Sequence, residues 1–521
     1  MATKKTASDS AFAVSGIKKH ITTLLSEISN LYLADDVPWV IGYSGGKDST
    51  AVLQLVWMAI ASLPKSQQHK TVHVITTDTL VENPIVAQWV AGSLACMKKQ
   101  AKEDQLPFQP HQLKPKPENS FWTNLIGKGY PAPRPKFRWC TERLKIWPSN
   151  EFILNTTQKH GNVLLCLGTR KKESAKRAAT MQHYEDERSK EHRYGDLEAG
   201  HKVSPNSQLP NTWVYTPIQD WANDDVWLFL NQYTNPWGYS NQELLGLYSG
   251  ATEGGECPLV VDTSTPSCGD SRFGCWTCTL VDEDKSMTAM IQNDADKGWM
   301  LPLLEIRKAI DYRQFDMEES DRSLRDFRRM NGRVQLFGDK MKYIPGPYKK
   351  EVRERFLRML LAAQRFIHDE GPDHVRQINL ITLDELEEIR RIWVMDKHEI
   401  EDSLPGIYEE EIGESYPGKE IRGNQPFDRD DLKILEEVCG NHYQLVRDLI
   451  NVELKESTQV RRSNLMKNLE NSIKRNFYED EEDALNYARS QQQFKQDKVD
   501  EWDRTADEYI QLKIEILFQY S

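Results

Sequence analysis

Between residues 37 and 80 the chain changes hydrophobic period twice. "WVIGY" (39–43) and "TVHVITT" (71–77) are short, rich in β-branched residues and bounded by turn formers, and each predicts a buried strand. Between them Val52, Leu55, Val56, Ala59 and Ile60 fall at helical spacing and predict a helix with one apolar face. A second round follows: a helix near 86–102, a strand near 108–113, a helix near 142–159 and the strand "NVLLCLG" (162–168). Strands alternating with helices predict an α/β fold whose parallel sheet carries helices on both faces. Ligands of such sheets sit at the carboxyl ends of the strands, so the segment after the first strand is where chemistry is expected.

Further along the pattern weakens and then changes. Residues 171–212 are polar, highly charged and poor in large apolar groups, which predicts a mobile loop or one ordered by substrate. Residues 217–250 return to helix through "DDVWLFLNQY", and 251–280 read as a Gly/Thr/Ser/Cys loop. Beyond about 285 helical periodicity dominates, as in "YKKEVRERFLRMLLAAQRFIHD" and "TLDELEEIRRIWVMDKHEIED". The expected organisation is an N-terminal helical segment (1–36), an α/β domain (37–284), a mostly helical domain (285–476) and a charged helical or disordered tail (477–521).

Composition narrows the partners. A formal charge of −12 excludes a generally basic coat, so a polyanion would have to be met by local patches. Residues 134–145, 170–177, 322–333 and 461–475 are such patches. The N-terminus lacks the apolar core of a secretory signal, and Gln, Lys or Gly interrupt every apolar run, so a cytoplasmic protein without membrane spans is expected. Of eight cysteines, Cys257, Cys268, Cys275 and Cys278 crowd together while Cys96, Cys140, Cys166 and Cys439 are scattered. In a cytosolic chain such crowding points to a metal or cluster site and not to a disulfide framework.

After the first strand comes "SGGKDS", Ser44, Gly45, Gly46, Lys47, Asp48 and Ser49. Glycines between a strand and a helix let backbone N–H groups approach a phosphate, and the helix N-terminus adds its positive end. The stretch nearly spells a Walker A loop, but Asp48 stands where a hydroxyl should hold magnesium. It matches S-G-G-x-D-S, the loop of PP-loop ATP pyrophosphatases, which it resembles. The resemblance implies cleavage of ATP between the α- and β-phosphates, with Lys47, Asp48 and Mg2+ at the leaving pyrophosphate. "TTDTLVENP", with Asp78, is similar to the acidic nucleotide-proximal segment of PAPS reductase-like proteins. "LGTRKKESAKR" resembles their anion-binding element and implies that Gly168, Arg170, Glu173, Ser174 and Arg177 lie beside the phosphates, with Arg170 in the reaction. "YTPIQDWANDDVW" matches a further segment of the same group, so the resemblance covers roughly residues 38–280.

The cysteines extend the likeness to cluster-bearing adenylylsulfate reductases. "WCTERLKIWP" and Cys275-Trp-Thr-Cys278 resemble segments that hold their iron–sulfur cluster. The implied ligands of a [4Fe–4S] cluster are Cys140, Cys275 and Cys278 with Cys268, Cys257 being the rival for the fourth place. A zinc knuckle built from 257–278 is the alternative. "EVCGNH" is a near match to the E-C-G-x-H of sulfonucleotide reductases, but Glu437 is one residue out of place and amphipathic helical patterns flank it. Gly440 is better read as a helix-ending glycine and Cys439 as structural.

The PP-loop core, the "GTRKKES" element, the "PSCGDSRFGCWTC" block and the long helical extension occur together. The combination resembles the DndC family, sulfurtransferase subunits of bacterial DNA phosphorothioate modification. That resemblance implies adenylation of a DNA backbone phosphate and replacement of a non-bridging oxygen by sulfur. It also implies DNA, a cysteine desulfurase as sulfur donor and the other Dnd proteins, the ATPase DndD and the small DndE, as partners. Two alternatives stay open: a sulfonucleotide (PAPS or APS) reductase-like oxidoreductase, and a non-catalytic DNA-binding subunit of a modification complex.

Overall fold

The computed structural model describes residues 10–173, 178–179, 181, 202–251, 273–311, 313, 318–337, 342–399, 401–419, 429–457 and 462–519. Two compact units alternate along the chain. One comprises Met1–Phe121, Pro133–Ile310 and Ala362–Ile381, the other Trp122–Ala132, Asp311–Leu361 and Thr382–Ser521.

The first unit is built on a sheet of six strands: β1 (Trp39–Gly42), β2 (Val72–Thr77), β3 (Phe108–Leu113), β4 (Val163–Cys166), β5 (Val203–Pro205) and β6 (Thr212–Tyr215). Their order is β3-β2-β1-β4-β6-β5. Every pairing is parallel except that of β5 with β6. The strands obey the period-two rule, and both faces are buried. Trp39, Ile41, Val72, Val74, Leu164 and Cys166 point into one core, while Val40, Ile75, Val163 and Leu165 point into another with Ile153. The α/β expectation is met, with an antiparallel edge strand added.

The larger core lies under α1 (Ile17–Leu33), α2 (Lys47–Ala61) and α3 (Pro84–Glu103). Asn83 starts α3 by accepting the Ile85 N–H, with Pro84 in the first turn, where its missing N–H is harmless. On the other face α4 (Trp147–His160) ends at Gly161, φ +79°. The single apolar face expected for α2 is too narrow: Ser49 to Trp57 are all buried, because α1 and α5 (Asn223–Gln232) pack against α2 as well. The helices α6 (Asn241–Gly250), α7 (Lys285–Asn293) and α8 (Leu301–Ile310) complete the unit.

The expected loop over 171–212 needs correction where it is described. Val203–Pro205 and Thr212–Tyr215 form the β5–β6 hairpin, and β6 pairs with β4 in the register Leu165↔Val214. These strands are too short for alternation to reveal them. The rest of that stretch (174–177, 180 and 182–201) lies outside the described residues, as does most of the loop at 251–280 (252–272).

The second unit is largely helical: α9 (Glu318–Ser323), the part of α10 (Lys350–Glu370) up to Leu361, α11 (Leu383–Arg391), α12 (Ser403–Ile412), α13 (Arg429–Cys439), α14 (Tyr443–Ser457), α15 (Leu465–Asn476) and α16 (Glu481–Gln519). A two-stranded ribbon joins β7 (Leu336–Phe337) to β8 (Lys342–Tyr343). A capping box starts α11: Glu385 N–H donates to Thr382 Oγ1, and Glu385 accepts the Thr382 N–H. Trp393 is buried and donates its indole N–H to Ile126 O at 3.0 Å. Buried Arg353 pairs with Glu399. Gly440, at φ +51°, separates α13 from α14. No described helix is long and apolar enough to cross a membrane.

Candidate nucleotide site at the strand-order switch

Strand order reverses between β1 and β4, which run side by side and share the register Ile41↔Cys166. The turns leaving their carboxyl ends diverge there and open a crevice. The turn after β1 is the glycine loop, and the turn after β4 carries Gly168 and Arg170. Sheet topology alone therefore brings two segments together that lie more than a hundred residues apart. They line one cavity of about 1490 Å³ with Ser44 to Ser49, Asp78, Arg170 and Glu173 on its wall.

The loop is rigid by construction. Gly45 has φ +74°, a conformation that L side chains rarely adopt, and a Cβ there would collide with the Val90 side chain. The Ser44 N–H donates to Ser49 Oγ at 3.2 Å, and that hydroxyl donates to Gly46 O at 3.0 Å. Trp89 Nε1 donates to Gly45 O at 3.3 Å. Ser49 thus closes the loop on itself, a structural part, while Asp48 faces the cavity. The α2 N-terminus starts at Lys47, so its first amides are the ones an α-helix leaves without intrahelical acceptors.

Asp48 is flanked by cations. Arg170 Nε donates to Asp48 Oδ1 at 2.7 Å, and Lys47 Nζ is 3.4 Å from Oδ2. Arg170 is buried, and its Nη1 donates to Trp221 O at 3.3 Å. Trp221 is fixed in turn by its indole N–H, which donates to His20 Nε2 at 3.3 Å, with Phe12 edge-on at 5.2 Å. Burial, and then Lys202, lowers the His20 pKa, which keeps that nitrogen an acceptor. Gly168 has a separate role: a Cβ there would lie 2.8 Å from the backbone carbonyl of Asp48, so only glycine lets the two turns meet.

At the far side of the cavity Asp78 closes its own turn by accepting the Leu80 N–H at 2.9 Å, with Gln112 Nε2 donating to Oδ2 at 3.2 Å. Beside it Lys145 and Glu82 form an ion pair at 3.3 Å, and both line the cavity. Neither was singled out by sequence. Their signal was present, because each sits inside a segment quoted for other reasons, "TTDTLVENP" and "WCTERLKIWP". Tyr248 also lines the cavity and had no sequence signal.

Two of the expected cluster ligands, Cys140 and Cys275, act on Lys145, and a third, Cys278, adjoins Cys275. Glu82 pairs with Cys275 in a single antiparallel bridge, and the Cys278 N–H donates to Cys275 O at 3.0 Å. Burial pushes the Cys275 thiol up to about 12, and Glu82 adds to this while Lys145 opposes it. Burial raises Cys140 too, and Cys278 is among the charges acting on both. Burial alone would lower Lys145, but Cys275, Glu82 and Cys140 outweigh it and hold the ammonium firmly charged. Cys275 and Cys140 act on Lys145, and Cys278 acts on both of them, so sulfur donors of the kind an iron–sulfur cluster takes lie in one neighbourhood. Yet among the described residues no three His, Cys, Asp or Glu side chains are placed to hold a metal ion. Cys257 and Cys268, either of which would be the fourth ligand, lie outside the described residues, as do Ser174 and Arg177. Cys166 is buried in the core, Cys96 packs against it, and Cys439 ends α13, far in sequence from this site.

Residues 38–280 match the family described as the phosphoadenosine phosphosulfate reductase domain. A stretch of 210 residues is 25% identical to an uncharacterized protein of Methanocaldococcus jannaschii, covering 40% of this chain and 35% of that one. The match therefore spans about a third of that relative's length. With the glycine loop and the Arg170 turn meeting at the strand-order switch, residues 38–280, just under half of the chain, resemble a PP-loop, PAPS reductase-like domain.

Proposed function

We propose that the protein is a sulfurtransferase that activates a DNA backbone phosphate with ATP. The observation that carries this reading is the placement of Asp48, between Lys47 and buried Arg170 at the mouth of a glycine loop that ends in a helix N-terminus. A carboxylate there suits a magnesium ion on the leaving pyrophosphate, and the loop amides suit its oxygens. Lys47 and Arg170 would offset charge as the bond between the α- and β-phosphates breaks. A non-bridging oxygen of the DNA phosphate attacks the α-phosphorus and pyrophosphate leaves. The outer sulfur of a persulfide supplied by a cysteine desulfurase then attacks the DNA phosphorus, AMP departs with the original oxygen, and a dithiol reductant cleaves the remaining S–S bond to leave the phosphorothioate. Adenylation is needed because an unactivated phosphate oxygen is too poor a leaving group for sulfur to displace.

Cys140, Cys275 and Cys278, with Cys268 or Cys257, would hold a [4Fe–4S] cluster, which would supply redox or sulfur-binding chemistry beside the cavity. DNA would be met by local basic segments. Lys171, paired with Asp220 at 3.2 Å, and Lys172 are better placed for this than Arg170, which is buried on Asp48. DndD, DndE and a desulfurase remain the proposed partners. A second reading, reduction of a sulfonucleotide, draws on the domain match itself. Incubation with ATP, DNA, cysteine, a desulfurase and a dithiol reductant, followed by nuclease digestion and mass spectrometry, should yield phosphorothioate dinucleotides. Sulfite from PAPS and a dithiol reductant, with no phosphorothioate, would favour the reductase.

A further inference from the structure

Tyr248 stands on α6, and nothing around it in sequence marks it as a site residue. It is 8% exposed and lines the nucleotide cavity. Its hydroxyl accepts the backbone N–H of Lys47 at 3.4 Å and lies 3.2 Å from where a Cβ on Gly46 would sit. The Lys47 ammonium lies 5.4 Å from the ring centroid. The Lys47 amide opens α2, so it belongs to the N–H groups that a bound phosphate would take. The phenol oxygen therefore occupies a position that suits a phosphate oxygen. Burial raises the phenol pKa, so the group remains a donor as well as an acceptor.

The ring also packs against the segment that leads to Cys275. It packs edge-on against Trp227 at 5.1 Å and Phe273 at 4.7 Å. Phe273 stands two residues before Cys275. The segment that follows is anchored to the acidic turn after β2, because Trp276 N–H donates to Val81 O at 3.0 Å and Asn83 N–H to Gly274 O at 3.3 Å. A displacement of the Tyr248 ring is thus delivered to a segment held at defined points, where a packed aromatic contact has few ways to absorb it.

We propose that Tyr248 is a phosphate-binding residue of the glycine loop and that, through Phe273, it ties occupancy of the loop to the Cys275–Cys278 turn. This rests on the reading that the loop binds the phosphates of ATP. When pyrophosphate enters, the Lys47 N–H passes from the phenol to a phosphate oxygen, and the phenol O–H donates to the same group. No covalent bond changes.

The test uses the full-length chain with Mg2+ and two probes, pyrophosphate and α,β-methylene-ATP, which cannot be cleaved at the relevant bond. Calorimetry should show Tyr248→Phe binding pyrophosphate about 10- to 100-fold more weakly, the worth of one hydrogen bond to a charged group. Tyr248→His, which keeps a ring and a polar donor, should recover part of that loss. Hydrogen–deuterium exchange of peptides covering 273–279 should change when wild type binds either probe, and the change should shrink in Tyr248→Phe at saturation. Equal or tighter binding by Tyr248→Phe would overturn the proposal, because the phenol would then only obstruct the loop. Exchange at 273–279 indifferent to ligand in wild type, a measurement that needs no variant, would overturn the coupling. Failure of wild type to bind either probe would remove the PP-loop reading and this proposal together, whereas wild-type binding with no effect at Tyr248 removes this proposal alone.

Discussion

Asp48 is held by groups that arrive from three parts of the chain: Lys47 beside it, Arg170 from the turn after β4, and, behind Arg170, the Trp221 carbonyl. Arg170→Ala should therefore lower ATP turnover by roughly 10²- to 10³-fold, the usual loss for a preorganised charge at a reacting phosphate. Arg170→Lys should restore little, because one ammonium cannot reach both the Asp48 carboxylate and the Trp221 carbonyl as a guanidinium does. Steady-state release of pyrophosphate measures both. Gly168 offers a test that touches no charge. Alanine there would meet the Asp48 carbonyl at 2.8 Å, so Gly168→Ala should cost ~1–3 kcal/mol and displace the loop. A lowered melting temperature together with lost turnover is expected, and unchanged values for both would show that the two turns are not in contact. At this scale the loop, Gly168 and Arg170 were legible because glycine, lysine and arginine carry their chemistry in their names. Trp221, His20 and Tyr248 were not, since their roles come from contacts that only the folded chain creates.

Among the elements, the strands β1 to β4 and the helices between them follow from periodicity, and the site follows from them, because a reversal of strand order fixes where the turns diverge. The β5–β6 hairpin escaped notice for a physical reason: three- and four-residue strands are too short to display a period, and "TWVY" mixes faces. On the open edge of the sheet, β2 and β3 hold His73 and His111 with ring nitrogens 3.0 Å apart. Burial, and then His111, lowers the His73 pKa to about 4, so the fold favours the neutral ring. The unfolded chain takes up that proton near its ordinary value of 6.5, hence the stability from this group is present above pH 6.5 and is lost as pH falls towards about 4. Urea midpoints should fall across that window in wild type, and His73→Gln should flatten the fall. An unaltered slope would mean the ring is charged in the fold. The cysteine turn belongs to this scale too, since the Glu82–Cys275 bridge ties it to the turn after β2. Anaerobically purified protein should carry about four irons per chain. Cys140→Ser, Cys275→Ser and Cys278→Ser should each remove them, while Cys439→Ser should not. One tightly held zinc and no iron would favour the knuckle instead.

For the whole molecule, two compact units alternate along the sequence, which a linear reading of composition has no means of detecting because short segments such as Trp122–Ala132 join their unit only through folding. The helical unit's share in DNA contact is open to a simple experiment. With a net charge of −12, DNA affinity should rest on few cationic contacts and fall steeply with salt, and reversing Lys171 and Lys172 to glutamate should reduce both affinity and salt slope. A binding isotherm that ignores these changes would assign the contacts to other segments. The proposed chemistry depends on which bond of ATP is broken. Full-length protein incubated with Mg2+, DNA and ATP labelled at the α-phosphate, its products separated by chromatography, measures this directly. The label is predicted on adenylylated DNA, and in AMP once a nucleophile displaces it, with an equivalent of pyrophosphate and neither with Asp48→Ala; label in ADP, with release of inorganic phosphate, would contradict this chemistry.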